Sequence, residues 1–545
     1  MARIKLEGKE YETSVKTIEQ FLAEIGYTSR FPVLLAKYNR EIIELNEPFK
    51  GDGELSLLSF DTKEGSRAYI NSLVFLLLVA VKESFGNSSD IAVEHSIDKG
   101  LYIKTNFNIT NEILLDIKNK MLEIVEENRR IRKLTVSRLD AIRYFKEIRD
   151  ESKAANLKYN TNTYITLYKL GPCFDYFYTK MPVETGCLRK FDLTYINNNA
   201  LVLRFPTIYS DGVVPEYHNH ESMMKAFDKS LEWNSIIGIH NASDLNKVVS
   251  DGKINDLIRM CENNFNSEIL DLAKRIKKED KKVVLMAGPS SSGKTTSSKK
   301  LCLALQSVGA KPLVLSMDDF FVERVDTPKG PDGKYDFECL EAVDIPLFDK
   351  SIKELVEGKE VVLPVYNFVT GEKEFKRKTK MEEGAVLVIE GIHALDNKVL
   401  TKVDRNKKFK IYVCPLTELN IDNHNRVSTT DNRLLRRIVR DQRTRGKTSE
   451  YTINAWKDVR KGEEKNIFPY QDESDYTLNT SMLYEIGVIK TYVEPLLYNI
   501  DEESIYYDEA KRLLNFLRNF LEIPADALPD DSIIREFIGG SCFKD

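Results

Sequence analysis

Residues 282–295 read KVVLMAGPSSSGKT, and this stretch decides the fold of the rear half of the chain. A short apolar run leads into a loop of the pattern GxxxxGK followed by Thr, and a helical segment then extends to Gly309. Glycines let such a loop curl so that its N–H groups point at a phosphate, and the N-terminus of the next helix favours an anion. The sequence therefore predicts a strand, a phosphate-binding loop and a helix in succession.

The predicted loop assigns roles to its residues. Lys294 is expected to reach the β- and γ-phosphates of a nucleotide, and Thr295 is expected to offer its hydroxyl to Mg²⁺. ATP and Mg²⁺ are therefore the expected cofactors. The expected nucleotide contacts of the loop are Gly288, Pro289, Ser290, Ser291, Ser292, Gly293, Lys294 and Thr295.

Three further apolar runs, PLVLSM, AVLVIE and FKIYVC, alternate with helical stretches. This alternation predicts an α/β fold whose parallel sheet has helices on both faces, with ligands beyond the carboxyl ends of the strands. Two runs end in acids, at Asp318 with Asp319 and at Glu390. We expect a base for an acceptor hydroxyl at Asp318 and a Mg²⁺ anchor at Glu390, whereas Asp319 is equally well explained as a solvated neighbour.

Residues 426–447 are strongly basic, with eight basic and two acidic side chains. Three- and four-residue spacing places Arg433, Arg436, Arg437 and Arg440 on one helical face. Clustered cations are costly unless an anion lies among them, so a lid over a triphosphate is predicted. A solvated basic face and an RNA contact are the alternatives.

Six motifs in residues 281–447 together resemble those of the uridine kinase and phosphoribulokinase family: GPSSSGKT, SMDDFF, YDFECLEAVD, LPVYNFVTG, VIEGIHAL and RRIVRDQRTRG. The resemblance implies ATP-dependent phosphorylation of a hydroxyl on a nucleoside. It implies that Asp318 is the catalytic base, assisted by Lys294 and Arg440. It also implies that Thr295, Glu390 and Asp318 serve Mg²⁺.

The same resemblance assigns residues around the acceptor and the lid. It places Glu338 on the ribose hydroxyls and Tyr366 against the base, with Arg437 and Lys447 on the acceptor side. Arg436 and Arg445 are assigned to the nucleotide.

Three positions depart from the family pattern. Gly371 stands where the family has a base-reading His, Ala455 where it has a Gln, and Lys447 where it has a lid Arg. A site without those groups should not read uracil in the usual way, and Gly371 should vacate volume for a larger base or a different group. The alternatives are a kinase acting on a sugar or sugar phosphate, as in phosphoribulokinase, and a nucleotide-gated RNA-binding regulatory protein.

The front half resembles a different family, threonyl-tRNA synthetase. Residues 1–62 read as a hairpin, a helix ending at Gly26 and two further strands, and they resemble its TGS domain. Residues 63–235, with AVKESF, SIDKGLY and the MPVETG region, resemble its editing domain. The HxxxH and CxxxH pairs of that editing pocket fall on Asn71, Phe75, Phe177 and Met181. We therefore expect no active editing hydrolase here.

The rest of the expected organisation follows from pattern. Residues 118–132 predict an amphipathic helix, and FDLTYI and ALVLRFP predict strands. Residues 236–280 predict a helical connector, and residues 281–545 the kinase domain.

Composition excludes several classes of protein. A formal net charge of −5 is a poor match for a dedicated nucleic-acid binder. Seven scattered cysteines without a CxxC pair argue against a disulfide framework or a zinc ribbon and predict a reducing cytoplasm. The apolar run at residues 73–81 is shorter than the roughly 17–25 residues of a membrane span, so it predicts a buried helix and no membrane association.

Histidines and partners complete the expectations. His218 and His220 are close in sequence, but two histidines without a second cluster make a weak metal site. His424 precedes the basic segment and either positions it or is purely structural. The expected partners are a small-molecule nucleoside or sugar acceptor and an RNA or small ligand for the front half, with homo-oligomerisation left open.

Overall fold

The computed structural model describes residues 2–543 except 49, 331, 332, 334, 368, 369 and 418, so part of the LPVYNFVTG motif lies outside the described residues. The first unit is a mixed five-stranded sheet of order β2-β1-β5-β3-β4 with one helix. Its elements are β1 (Ala2–Leu6), β2 (Lys9–Thr13), α1 (Ile18–Glu24), β3 (Leu35–Tyr38), β4 (Glu41–Glu44) and β5 (Gly53–Leu58). The predicted hairpin, helix and two strands are confirmed. Strand β4 was not predicted; it pairs back on β3 because Asn39 and Arg40 both adopt positive φ in a tight turn.

The second unit combines a four-stranded antiparallel sheet of order β11-β12-β7-β6 with a three-stranded sheet of order β10-β9-β8. Its elements are α2 (Lys63–Phe85), β6 (Ile91–Ile97), β7 (Gly100–Thr105), α3 (Asn111–Glu126), β8 (Arg132–Ser137), α4 (Arg138–Glu147), α5 (Glu151–Tyr159), β9 (Tyr164–Leu170), β10 (Cys173–Asp175), β11 (Asp192–Asn197) and β12 (Ala200–Arg204).

Two helices of this unit test the sequence expectations. Helix α2 is the one described helix long and apolar enough to cross a membrane, but 67% of its apolar window is buried inside the protein, as predicted for a core helix. Helix α3 ends at Glu126, so the predicted helix over residues 118–132 runs too far. Asn128 adopts positive φ and its side chain accepts a hydrogen bond from Gly186 N–H, which turns the chain into β8.

The rear half is built on a parallel sheet of order β14-β17-β13-β18-β19 and a separate hairpin β15-β16. Its strands are β13 (Val283–Ala287), β14 (Lys311–Ser316), β15 (Glu360–Asn367), β16 (Glu372–Lys380), β17 (Ala385–Glu390), β18 (Lys408–Cys414) and β19 (Tyr476–Asn479). Its helices are α6 (Glu221–Ile237), α7 (Ala242–Ser250), α8 (Ile254–Lys278), α9 (Lys294–Ser307), α10 (Ile345–Val356), α11 (Thr429–Arg445), α12 (Ser449–Asn466), α13 (Glu485–Tyr498), α14 (Tyr507–Leu517) and α15 (Ile533–Ile538).

The central strand β13 is buried on both faces, as the α/β expectation requires. Val284 and Met286 enter one hydrophobic core, and Val283 and Leu285 enter the core on the opposite face. The stretch expected to be a connector is part of the first of these cores, because α7 and α8 contribute buried side chains such as Ile269 to it.

Buried polar contacts join the two halves next to α11. Lys153 of α5 lies 2.6 Å from Asp175, and His424 Nδ1 lies 2.6 Å from the other oxygen of that carboxylate. Burial and the nearby Lys153 lower the pKa of His424, but the carboxylates of Asp175 and Asp90 outweigh them and raise it to about 10. His424 therefore fixes the segment before α11 to the front half.

Candidate active site

The loop 288–295 connects β13 to α9 in a tightly curled conformation. Ser291 and Gly293 adopt positive φ, which turns the backbone around the space above the helix. A Cβ at Gly288 would lie 2.0 Å from the carbonyl oxygen of Val413, so only glycine fits against β18 there. The loop geometry thus follows from its glycines and from the strand behind it.

Lys294 and Thr295 lie at the start of α9, inside this curl. Lys294 Nζ donates to the carbonyl of Gly288 at 2.8 Å, and loss of solvent around the ammonium lowers its pKa. Thr295 Oγ1 lies 3.2 Å from Glu390 Oε2. The structure therefore brings the loop hydroxyl and the acid at the end of β17 together.

Asp318 follows β14 and lies in the same cleft as Glu390, since Ser316 and Glu390 are direct neighbours in the parallel register. Loss of solvent raises the pKa of Asp318; Lys294 lowers it and the neighbouring Asp319 raises it further. The pKa of Glu390 is likewise raised, mainly by burial and also by the negative charge of Asp318. The two carboxylates and the lysine form one electrostatic group.

The donor set at this group fits Mg²⁺. Thr295 and Glu390 offer a hydroxyl and a carboxylate 3.2 Å apart, and Asp318 adds a second carboxylate nearby. Mg²⁺ is usually held by one or two carboxylates together with the phosphates of its nucleotide rather than by a complete protein cage.

Two arginines of α11 donate hydrogen bonds to backbone carbonyls of the phosphate-binding loop. Arg433 pairs with the buried Glu463 and donates to the carbonyl of Ser290 at 2.9 Å. Arg436 is 0% exposed, lies 2.6 Å from Glu485 and donates to Thr480 O at 2.9 Å. The expectation that Arg436 contacts the nucleotide conflicts with this burial, because its guanidinium is already held by Glu485 and by backbone carbonyls.

Three further arginines of α11 gather around a single acid. Arg437, Arg440 and Arg445 all approach Asp441, at 3.2, 3.0 and 3.5 Å. Three guanidinium groups thus share one carboxylate, which leaves an excess of positive charge. Arg433 and Arg436 need no external anion, because the buried Glu463 and Glu485 balance their charges, so the expectation for the whole helix is wrong for these two. For Arg437, Arg440 and Arg445 we still expect an external anion.

The two residues expected on the acceptor side, Tyr366 and Glu338, are buried and half-buried. Tyr366 on β15 is 4% exposed, and its ring packs edge-on against Phe321 at 5.6 Å. The half-buried Glu338 has a raised pKa, mainly from burial and then from nearby Glu463. Asn466 Nδ2 donates to the backbone carbonyl of Glu338 at 2.7 Å. Helix α12 therefore forms one wall beside Glu338.

The expectation of free volume beside Gly371 is wrong. A Cβ at Gly371 would lie 2.7 Å from Cβ and 2.9 Å from Nε of Arg324, so the Arg324 side chain fills that space. Lys447, at the other departure, lies 4.5 Å from the Tyr451 ring centre. Ala455 lies on α12 beside Trp456. The guanidinium of Arg324 therefore occupies the space beside Gly371 that we expected to be free.

The positions of the expected editing pocket are closed. Asn71 Nδ2 donates to Thr179 at 2.8 Å, and the rings of Phe75 and Phe177 pack at 5.5 Å. Met181 is buried in the same core. Side chains of the protein itself fill this region.

The histidine pair also has protein partners. His220 lies 2.7 Å from Asp472 and 3.3 Å from Asp98, and His218 lies 3.5 Å from the same Asp98. These contacts explain the pair as a polar link between the two halves.

Comparison with protein families identifies the rear half. Residues 283–482 match the family model described as Phosphoribulokinase / Uridine kinase family. These residues form a kinase domain of that family. The match spans β13 to β19 and includes the phosphate-binding loop, Asp318, Glu390 and all of α11.

Known proteins resemble the two halves separately. The threonine–tRNA ligase of Clostridium novyi (strain NT) is 34% identical over 139 residues, which are 25% of this chain and 22% of that enzyme. The chain thus spans about a quarter of the length of such relatives. A possible uridine kinase from Bacillus stearothermophilus is 20% identical, covering 39% of this chain and 98% of that one with a TM-score of 0.27. D-glycerate 3-kinase from Cryptococcus neoformans is 16% identical, covering 50% and 89% with a TM-score of 0.20.

Sequence reasoning missed several residues of the site. Glu463 accepts a hydrogen bond from Ser290 N–H at 2.9 Å, and Glu536 accepts from Thr296 Oγ1 at 2.7 Å. Both acids lie in charged or mixed stretches where nothing distinguishes them from solvated neighbours, and Glu536 is 240 residues from its partner.

Proposed function

We propose that the chain is an ATP- and Mg²⁺-dependent phosphotransferase with an alcohol acceptor, most closely a nucleoside kinase. The observation that carries the proposal is the convergence of Lys294, Thr295, Glu390 and Asp318 at adjacent strand ends. A loop that served only as a nucleotide switch does not need Asp318, so this acid favours catalysis over gating.

Each of these side chains has a task in the transfer. Asp318 accepts the proton of the acceptor hydroxyl while the new O–P bond forms and the bond from the γ-phosphorus to the β-phosphate oxygen breaks, which releases ADP. Lys294 neutralises the β- and γ-phosphates, and Arg440 and Arg445 stabilise charge on the transferring group. Thr295 and Glu390 would hold Mg²⁺, which would neutralise negative charge on the nucleotide phosphates.

A ribose-bearing acceptor fits the side chains that line the acceptor side. Glu338 offers a carboxylate for the ribose hydroxyls, and burial and the nearby Glu463 raise its pKa. We propose phosphorylation at a primary hydroxyl, the 5′ position. Uracil should be read differently from the family pattern, because Gly371 and Ala455 carry no hydrogen-bonding side chain and the Arg324 guanidinium, which can only donate, fills the space at Gly371.

One observation supports the alternative of an anionic acceptor such as a sugar phosphate. Arg324 fills the space at Gly371, so a cation stands where the family reads a neutral base. A guanidinium in such a position favours a phosphate or carboxylate by bidentate hydrogen bonding.

An acceptor panel separates the two acceptor classes. kcat/KM would be measured with ATP for uridine, cytidine, purine nucleosides, free sugars and phosphorylated sugars, in the wild type and in Arg324→Gln. For a nucleoside kinase, nucleosides are the best acceptors and Arg324→Gln changes kcat/KM little. Activity on phosphorylated sugars alone, lost in Arg324→Gln, would move the protein to the phosphoribulokinase side of the family.

We further propose that the front half takes part in binding a small polar ligand rather than in editing. A cavity of about 440 Å³ lies between the halves, lined among others by Glu94, Lys104 and His240. Asn234 also lines it, is 1% exposed, and finds no hydrogen-bond partner for either amide atom among the described residues. An unpartnered buried amide is costly, and a ligand carrying both an amino group and an acceptor would satisfy it.

Thermal unfolding of the full chain with a panel of L-amino acids tests this second proposal. An amino acid that raises the Tm of the wild type should lose its effect in Asn234→Leu, which is similar in size but apolar. No Tm increase with any amino acid, or an equal increase in the variant, would refute it.

A further inference from the structure

We propose that Glu536, on the C-terminal helix α15, is a further residue of the nucleotide site, where its carboxylate occupies a phosphate position until nucleotide displaces it. The inference rests on the proposed nucleotide-binding function of the loop. It concerns a residue outside the segment that matches the kinase family, which ends at residue 482.

The hydrogen bonds of Glu536 lie at the mouth of the loop. The helical ladder of α9 begins with Ser297 N–H, which donates to Gly293 O at 3.0 Å, so Thr296 N–H is one of the free donors of the first turn. Glu536 Oε2 accepts from this N–H at 3.2 Å and from Thr296 Oγ1 at 2.7 Å. In a phosphate-binding loop such donors serve nucleotide phosphates, so a carboxylate already holds this position.

Packing holds α15 in this position. A Cβ at Gly293 would lie 2.8 Å from Ile533 Cγ2, so Ile533 covers the turn of the loop. Arg443 of α11 donates to the carbonyl of Glu536 at 2.8 Å and to that of Phe537 at 3.1 Å. The helix that carries the lid arginines therefore also holds α15 in place.

The charge of Glu536 reaches the catalytic group. It raises the pKa of Lys294 against the loss of solvent that lowers it, and it adds to the rise in the pKa of Glu390 caused by burial. A phosphate bound at Thr296 would meet a like charge at short range and compete for the same two donors. Nucleotide binding therefore requires the Glu536 carboxylate to leave, and the wild-type affinity for nucleotide is reduced accordingly.

The test is equilibrium binding of a non-hydrolysable ATP analogue with Mg²⁺ to the full chain. Glu536→Gln keeps the size of the side chain and removes its charge, so it should bind the analogue about ten- to hundredfold more tightly, as expected for release of a charged hydrogen bond. Asp526→Asn, an exposed acid in the same C-terminal stretch, is the matched control and should bind as the wild type does. Arg443→Gln releases α15 by another route and should also tighten binding.

The outcomes separate this inference from the proposed function. Unchanged or weaker binding in Glu536→Gln, with a wild type that binds the analogue, overturns the inference and leaves the kinase proposal standing. If Glu536→Gln does not fold, Arg443→Gln decides the matter in the same way. Failure of the wild type and of both variants to bind any analogue overturns the inference and the nucleotide site together.

Discussion

The rear and front halves of this chain differ in the side chains at the positions where each was expected to have an active site. At the ends of the parallel strands of the rear half, polar groups such as Lys294, Thr295 and Glu390 face a common cleft. At the editing positions of the front half, Phe75 and Phe177 pack ring against ring. Polar side chains therefore meet at the strand ends of the rear half, whereas aromatic side chains fill the region of the front half where an editing pocket was expected. A shared fold therefore does not imply a shared function.

The difference is also one of cost. Polar and charged groups held in a cleft lose solvent, and the raised pKa values of Asp318 and Glu390 and the lowered pKa of Lys294 record that loss. The buried rings of the front half bear no such penalty and add apolar burial instead. We therefore expect the polar cleft to cost stability and the filled region of the front half to add to it.

The largest expected effect is on kcat and concerns the polar site of the rear half. Asp318→Asn removes the proposed base, so kcat should fall by about 10²–10⁴-fold, while nucleotide binding stays nearly unchanged. The measurement is steady-state kcat on a true acceptor, with analogue binding as the control. A kcat close to that of the wild type would show that Asp318 is not the base.

The next largest effect is on stability and concerns the aromatic packing of the front half. Phe75→Ala leaves a cavity in a fully buried position and should lower the free energy of unfolding of the front half by about 3–5 kcal/mol. Chemical denaturation of the full chain measures it. Leu115→Ala, on the exposed face of α3, is the matched control and should change this free energy by about 0.5 kcal/mol or less. Equal losses in both variants would mean that the aromatic filling is not structural.

A smaller effect, on the pH profile, tests the electrostatic influence of Asp319 on Asp318. The pKa of Asp318 is raised mainly by loss of solvent and partly by Asp319. A base acts in its ionised form, so kcat/KM should rise with pH through this pKa. Asp319→Asn removes the neighbouring negative charge, lowers the pKa, and should shift the acidic limb of the profile to lower pH. Glu357→Gln, on the surface after α10, should leave the limb in place. A limb moved to higher pH in Asp319→Asn contradicts the account.

The smallest expected effect is none at all. The full chain offered a mischarged threonine-type tRNA should hydrolyse it no faster than buffer, because Asn71, Phe75, Phe177 and Met181 provide no metal ligand and no nucleophile. Hydrolysis above the buffer rate, retained in Lys294→Ala, would show that the front half is an active deacylase.

Sequence patterns were sufficient for some parts of this site and insufficient for others. The loop and the strand-end acids could be predicted because a glycine-rich turn and strand termini are local features. The role of Arg436 could not, since a helical face of arginines does not reveal whether its anion is a ligand or the buried Glu485. Glu463 could not be told from its neighbour Glu464, because only packing buries the first. Arg324 at Gly371 depends on a contact between distant loops.

The most direct test of the central claim is the rate of ADP formation from ATP by the full chain, with and without Mg²⁺, in the presence of a ribose-bearing acceptor. The account predicts Mg²⁺-dependent, acceptor-dependent ADP formation by the wild type and none by Lys294→Ala, whose unfolding midpoint stays near that of the wild type. Undiminished ADP formation by a folded Lys294→Ala protein would contradict the assignment of the rear half as the catalytic kinase domain.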